Sequence, residues 1–247
     1  MIEAPNGPRK PTVSIVIPVF DERERIVDAL LALQSLRASQ RAQVIVVDGG
    51  STDDTVALAG PLADIVTRSA RGRALQMNAG AAVASGDVLL FLHADTSLPE
   101  HCCELVIAGL TGPDQRRGSR STSRHLHVWG RFDVRIEGRS RVLELVARAM
   151  NLRSRWSGIA TGDQAMFVKR EDFFSVGGFP LQPLMEDIEM SSRLKARSAP
   201  LCLTEQVTTS GRRWDTRGVW RTIFLMWRLR LLYWFGTPAE KLAEAYR

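Results

Sequence analysis

Four short apolar runs rich in β-branched residues, each followed by a helix-like stretch, limit what this chain can fold into. The first is T-V-S-I-V-I-P at residues 12–18, ended by Pro18. V-I-V-V-D follows at 44–48, a weaker run at 63–67, and D-V-L-L-F-L-H-A-D at 87–95. Runs of this length read as strands buried on both faces. Between them, Asp21 and Glu22 open a helical pattern through Ile26, Leu30, Leu33 and Leu36. G-G-S-T-D-D-T makes a turn and helix start, and a further helix runs from Arg73 to Ala84, broken at Gly86. This alternation predicts βαβ units on a mostly parallel sheet flanked by helices. In such sheets ligands sit beyond the carboxyl ends of the strands. Asp21, Glu22, Asp48, His93 and Asp95 therefore come under scrutiny.

The rest of the chain is less regular. Residues 1–11 read as a loose arm and 111–125 as a polar, basic loop. A helix follows Pro99. From Leu126 to Ile136, apolar residues alternate with His127, Trp129, Arg131, Asp133 and Arg135, the mark of a strand with one buried face. A helix at Val142–Met150, a loop S-G-I-A-T-G-D, a strand Gln164–Val168 and a turn G-G-F-P at 177–180 come next. M-E-D-I-E-M-S-S-R-L-K starts a helix with acids at its N-terminus, where the dipole favours them. A long helix runs from Arg217.

With 247 residues, 45% hydrophobic and 24% charged, the composition is globular and excludes a disordered tail, a collagen or a coiled coil. We expect one domain over 1–247, with a first half at 12–110, a second at 111–215 and a helical segment at 216–247. Basic residues exceed acidic by 33 to 27, and only four of the 33 are lysine. Arginine forks suit phosphates, although a GC-rich coding bias gives the same excess, and charge alone leaves nucleic acid open. Cys102 and Cys103 are adjacent and Cys202 stands apart, so neither a zinc site nor a disulfide framework is expected, and a reducing cytoplasm fits. No apolar leader or run of about 18 apolar residues is visible.

Chemistry concentrates at a few positions. Asp48 and Asp95 end apolar runs, and Glu186 with Asp187 begins a helix. Each acid alone reads first as a cap or turn former; together they suit hydrogen bonding to a base or ribose, or a hard cation on phosphates. His93 lies two residues before Asp95, within reach of the same ligand or metal. His125 and His127 are read as a solvated face. R-G-R-A-L-Q-M-N-A-G at 71–80 places Arg73 at a helix start suited to a diphosphate. S-G-R-R-W at 210–214 pairs Arg212 and Arg213 with Trp214, a set suited to covering a phosphate and stacking on a sugar or base. Neither a G-x-G-x-x-G nor a P-loop is present.

I-V-I-P-V-F-D-E, V-V-D-G-G-S-T-D-D-T, G-R-A-L-Q-M-N-A-G, L-H-A-D, T-G-D-Q-A-M-F, V-G-G-F-P, M-E-D-I-E-M and R-R-W occur in one order over residues 12 to about 214. Taken together they resemble the family 2 glycosyltransferases of the GT-A fold, in wording closest to a short, soluble bacterial subgroup. The resemblance implies an α/β GT-A-type fold and transfer of a sugar, UDP-linked by expectation, with inversion. It implies that Pro18, Phe20 and Glu22 line the nucleotide pocket, that Asp48 accepts from the base, and that Arg73 meets base or diphosphate. Asp95 would hold a divalent Mn²⁺ or Mg²⁺, Asp163 and Gln164 would face the acceptor, and Glu186 and Asp187 would contain the base, Asp187 preferred. Arg212, Arg213 and Trp214 would close over the diphosphate, and no nucleic-acid partner is expected. Two departures stand out. His93 replaces the usual first acid of D-x-D, which puts a ribose contact in doubt, and S-G-R-R-W replaces a Gln-containing motif, which argues against a processive polymer synthase.

Two other readings are a sugar nucleotidyltransferase and a non-enzymatic basic protein that binds RNA or a membrane. The first wants a Gly-rich, Lys-bearing loop after the first strand, and P-V-F-D-E-R-E-R is not one. In the last helix Trp220, Phe224, Trp227, Leu231 and Trp234 share one face beside Arg217, Arg221 and Arg228. That face reads either as core or dimer packing, or as peripheral docking on the cytoplasmic side of an anionic membrane next to a lipid acceptor.

Overall fold

The computed structural model describes residues 12–111 and 127–246. The first of these segments forms β1 (Val13–Val19), α1 (Ile26–Leu31), α2 (Gln34–Ala38), β2 (Ala42–Asp48), α3 (Thr55–Ala59) and β3 (Ile65–Arg68). It continues with α4 (Arg73–Val83), β4 (Val88–Phe91), β5 (Thr96–Ser97) and α5 (Cys102–Thr111). The second segment forms β6 (Trp129–Glu137), α6 (Val142–Ser157), β7 (Phe167–Lys169), α7 (Arg170–Ser175), α8 (Glu186–Lys195) and β8 (Leu201–Ser210). Three helices close it: α9 (Arg212–Arg217), α10 (Val219–Trp234) and α11 (Ala239–Tyr246).

All eight strands join one sheet, in the order β3-β2-β1-β4-β7-β6-β8-β5. The four from β3 to β4 are parallel, as buried β-branched runs joined by helices require. β7 then runs antiparallel to both β4 and β6, β6 and β8 are parallel, and β5 is antiparallel to β8. Helices cover both faces. Ile15, Ile17, Ile26, Leu30, Val106 and Leu143 share one core, and Val16, Ile45, Met77, Phe173 and Met190 the other. α4 approaches the sheet at Gly80, where a Cβ would fall 2.3 Å from a Val16 methyl and 2.9 Å from one of Val47.

The structure corrects several boundaries. The helical pattern after Glu22 splits into α1 and α2, because the Leu30 carbonyl accepts the Gln34 side chain and the Leu33 N–H. β4 stops at Phe91, so His93 and Asp95 lie on a turn closed by Thr96 N–H to His93 O. β6 is an interior strand and buries both faces at its start. Trp129 and Arg131 are 0% exposed; the indole donates to Ser198 O at 3.0 Å, and the guanidinium bonds Asp133 and Asn151 O. α6 extends to Ser157, where Gly158 takes φ +70°, and Gln164 sits in a tight helical turn (Gly162–Gln164) rather than a strand. β8 forms where no strand is expected, since T-E-Q-V-T-T is polar and owes its strand state to β6. The final helix breaks at Gly218, φ +84°. His127 hydrogen-bonds Ala199 O, and His125 with most of 111–125 lies outside the described residues.

Candidate active site

A cleft of about 390 Å³ opens where β1 and β4 end. Pro18, Phe20 and Glu22 enter it from the end of β1, and His93 and Asp95 from the turn after β4. Asp163, Glu186, Asp187, Arg213 and Trp214 complete the lining, with Arg73 at the head of α4. The structure thus gathers eleven of the residues singled out in the sequence around one cavity. Asp48, Gln164 and Arg212 do not line it. Asp48 is fully buried and accepts the N–H groups of Gly50 and Ser51 at 3.2 and 2.9 Å, holding the turn after β2. Gln164 closes a capping box with Thr161, and Arg212 is exposed.

Asp95 is positioned by β8, the strand absent from the sequence reading. Ser210 N–H donates to Asp95 O at 3.1 Å, and the Thr96 hydroxyl bonds that of Thr209 at 3.0 Å. Asp187, in the first turn of α8, accepts the N–H of Gly162 at 3.0 Å and of Ile188 at 2.8 Å. Those bonds fix its orientation. Gly162 also leaves room for His93, since a Cβ there would lie 2.6 Å from the imidazole. His93 Nδ1 stands 3.6 Å from Asp163 Oδ1.

Five acids and three arginines line the cleft. Glu186 is buried and 3.7 Å from Arg73 Nη1. Burial, then the neighbouring Asp187, push its carboxyl above the usual range, and Arg73 opposes them. Desolvation acts to raise Asp163, but the adjacent His93 and the charges of Arg73 and Arg230 outweigh it and hold the group low. Burial and then Arg217 and Arg73 lower Arg213, whose guanidinium stacks 3.9 Å over the Tyr246 ring and bonds its hydroxyl.

Several cleft residues carry no sequence signal of their own. Gln76 donates from one amide nitrogen to Val19 O and Val47 O, both at 2.8 Å, pinning the ends of β1 and β2. Thr222, Met226 and Arg230 of α10 and Tyr246 of α11 complete the rim. Only the helix itself, placed in space, brings them there.

Comparison with known proteins agrees with this geometry. The family model for glycosyl transferase family 2 matches residues 14–127. The chain is 29% identical over 135 residues to the undecaprenyl-phosphate 4-deoxy-4-formamido-L-arabinose transferase of Pseudomonas savastanoi, covering 50% of this chain and 40% of that protein. An uncharacterized glycosyltransferase of Mycobacterium tuberculosis is 39% identical over 88 residues, 34% of each chain. The chain thus spans well under half the length of these relatives. Among solved structures, a mannosyltransferase from Pyrobaculum calidifontis in complex with GDP-Man and Mn²⁺ superposes with TM-score 0.56 at 20% identity, covering 90% of this chain and 61% of that one. Glucosyl-3-phosphoglycerate synthase of M. tuberculosis, in complex with Mn²⁺, UDP and glucosyl-3-phosphoglycerate, gives 0.53 at 22%, covering 79% and 70%. The fold is therefore that of the GT-A glycosyltransferases.

Proposed function

We propose that this protein moves a sugar from a nucleotide diphosphate sugar, UDP-linked in our reading, to an acceptor oxygen with inversion at the anomeric carbon. The observation that carries the reading is the cleft itself. It gathers an acid pair at the head of α8, Asp95, Arg73 and Arg213 around one cavity. The family 2 match over residues 14–127 supports it.

Among the described residues no three His, Cys, Asp or Glu side chains converge as a ready-made metal cage. A cation shared with a diphosphate needs only one or two protein carboxylates. Asp95 with His93 offers such a donor set, so the residues fit Mn²⁺ or Mg²⁺. When bound there, the cation supplies neutralisation of the leaving diphosphate's charge.

The chain's own residues account for the rest. Phe20 and Glu22 line the side where the nucleotide enters, and Asp48 acts toward the base only through the turn after β2 that it holds. Arg73 and Arg213 face the diphosphate, where fixed positive charge favours the departing group. Trp214 lines the cleft from the core side, and Arg212 lies outside the lining. Asp163, and Gln164 behind it, define the acceptor side. Asp187 takes the proton of an acceptor hydroxyl or carboxyl as that oxygen bonds the anomeric carbon. The bond to the diphosphate breaks and its electron pair leaves with the phosphate. Glu186 holds Arg73. The three free cysteines suit a reducing, cytoplasmic setting.

Calorimetric titration of UDP with and without Mn²⁺ tests the reading. We expect metal-dependent binding in the wild type and at least about a tenfold loss in Asp95→Ala. Unchanged affinity in that variant under both conditions overturns the role given to Asp95. A hydrolysis screen over UDP-, GDP- and dTDP-sugars names the donor, and turnover of none of them would sink the transferase reading.

A further inference from the structure

α10 has three working sides. Leu229 is buried, and Leu225, Leu232 and Tyr233 pack with Leu184, Met185 and Leu242. Thr222, Met226 and Arg230 face the cleft. The remaining side carries Trp220, Phe224, Trp227, Leu231 and Trp234, followed by Phe235, and these six are 54–80% exposed. At 100° per residue they fall within about a third of the helix circumference. A soluble surface does not leave that much contiguous aromatic area open without a partner.

We propose that this side docks the protein on a lipid surface bearing anionic headgroups. Exposed Arg221 and Arg228 run along one flank of the aromatic stripe, and neither has an ion-pair partner among the described residues. Arginine reaching headgroups beside tryptophan at the acyl boundary is the composition of an interfacial helix. α10 contains no Asp or Glu, so two copies packed face to face about a twofold axis would gather like charges at one seam. Anionic lipid instead complements the flank. No helix among the described residues is long and apolar enough to cross a membrane, so α10 lies along the surface rather than through it. Its opposite side lines the cleft, which sets the cleft about one helix diameter, roughly 10 Å, from the bilayer. A lipid-borne acceptor follows from that placement; this last consequence rests on the transferase reading, whereas the docking does not.

Flotation of the full chain with phosphatidylcholine vesicles, with and without phosphatidylglycerol, tests the docking in the absence of donor sugar. We expect flotation only with phosphatidylglycerol, lost at high salt. Arg221→Gln and Arg228→Gln should each weaken binding about fivefold. Trp227→Ala combined with Trp234→Ala should abolish it, with an unchanged melting curve because both side chains are exposed. A wild type that never floats overturns the proposal, as does flotation that survives the double variant. So does a chain that is dimeric in solution and becomes monomeric in the double variant, which assigns the face to a second copy.

Discussion

The two halves of the cleft are built by different forces. On the donor side, Phe20 and His93 follow apolar strands of the parallel sheet, and their places come from the packing of Val16, Ile17, Leu89 and Leu90. On the facing side the positions come from polar links between distant segments. Gly162 N–H holds Asp187, the Ser191 hydroxyl accepts from Ala160 N–H at 3.1 Å, and Arg213 lies under Tyr246. Non-directional apolar burial fixes where a strand ends. Directional hydrogen bonds fix which way a carboxylate points. Changes on the donor side should therefore register first as lost stability, and those on the facing side first as lost chemistry.

The largest effect sharpens this contrast. Asp187→Asn keeps size and one of the two backbone bonds, from Gly162 or from Ile188, but removes the base, so transfer should fall about 10²–10⁴-fold with donor affinity retained and only a small loss of melting temperature from the one bond given up. If Glu186→Gln loses that rate while Asp187→Asn does not, the base has been assigned to the wrong acid. Gly80→Ala is the counterpart in the first half. Its Cβ would meet Val16 at 2.3 Å, and overpacking of this kind costs about 1–3 kcal/mol. Turnover per folded molecule should stay near wild type, and a loss of turnover without a loss of stability would break the division drawn above.

Asn78 joins the two regions. It sits on α4, donates to Phe179 O at 2.9 Å and accepts Phe179 N–H at 2.9 Å. Phe179 is buried, so Asn78→Ala leaves two backbone groups unpaired, at about 1–3 kcal/mol. Chemical denaturation should show this loss, together with weaker transfer, because the turn carrying Phe179 leads into α8. Stability unchanged from wild type would mean that the halves are held by packing alone.

What was readable in the sequence follows the same division. The runs at 12–18 and 44–48 are apolar throughout, and burial on both faces leaves no other placement for them. Glu186 and Asp187 were readable because a helix start selects acids. β8 was not, since its polar sequence becomes a strand only by pairing with β6. With it went the reason that Asp95 faces the cleft. Arg131 reads as a solvent-facing residue by alternation, yet it is fully buried because α6 supplies the Asn151 carbonyl from 20 residues away. The aromatic stripe of α10 was legible as a stripe, while its opening to solvent depended on how α11 packs behind it. Local pattern records the forces that act locally, and the facing half of this cleft is assembled from remote ones.

The smallest expected effect concerns Glu186, where the two kinds of force meet. It is buried like a core residue, yet Arg73 lies 3.7 Å from it across the cleft. Burial, then Asp187, lift its carboxyl above the ordinary 4.5 despite that partner. A group whose value is raised on folding binds its proton more readily in the folded state. Its contribution to stability is therefore fully present below the ordinary glutamate range and is lost as pH rises through the raised folded value. Glutamine never ionises, so Glu186→Gln removes that pH-dependent loss. The variant should melt slightly above the wild type in neutral buffer, with the difference shrinking on acidification through the mildly acidic range. Melting curves of both proteins across that range decide the matter. A variant less stable than wild type at neutral pH, with the gap closing on acidification, would mean that the bond to Arg73 outweighs desolvation. The facing half's rule of polar links would then extend into the buried floor of the cleft.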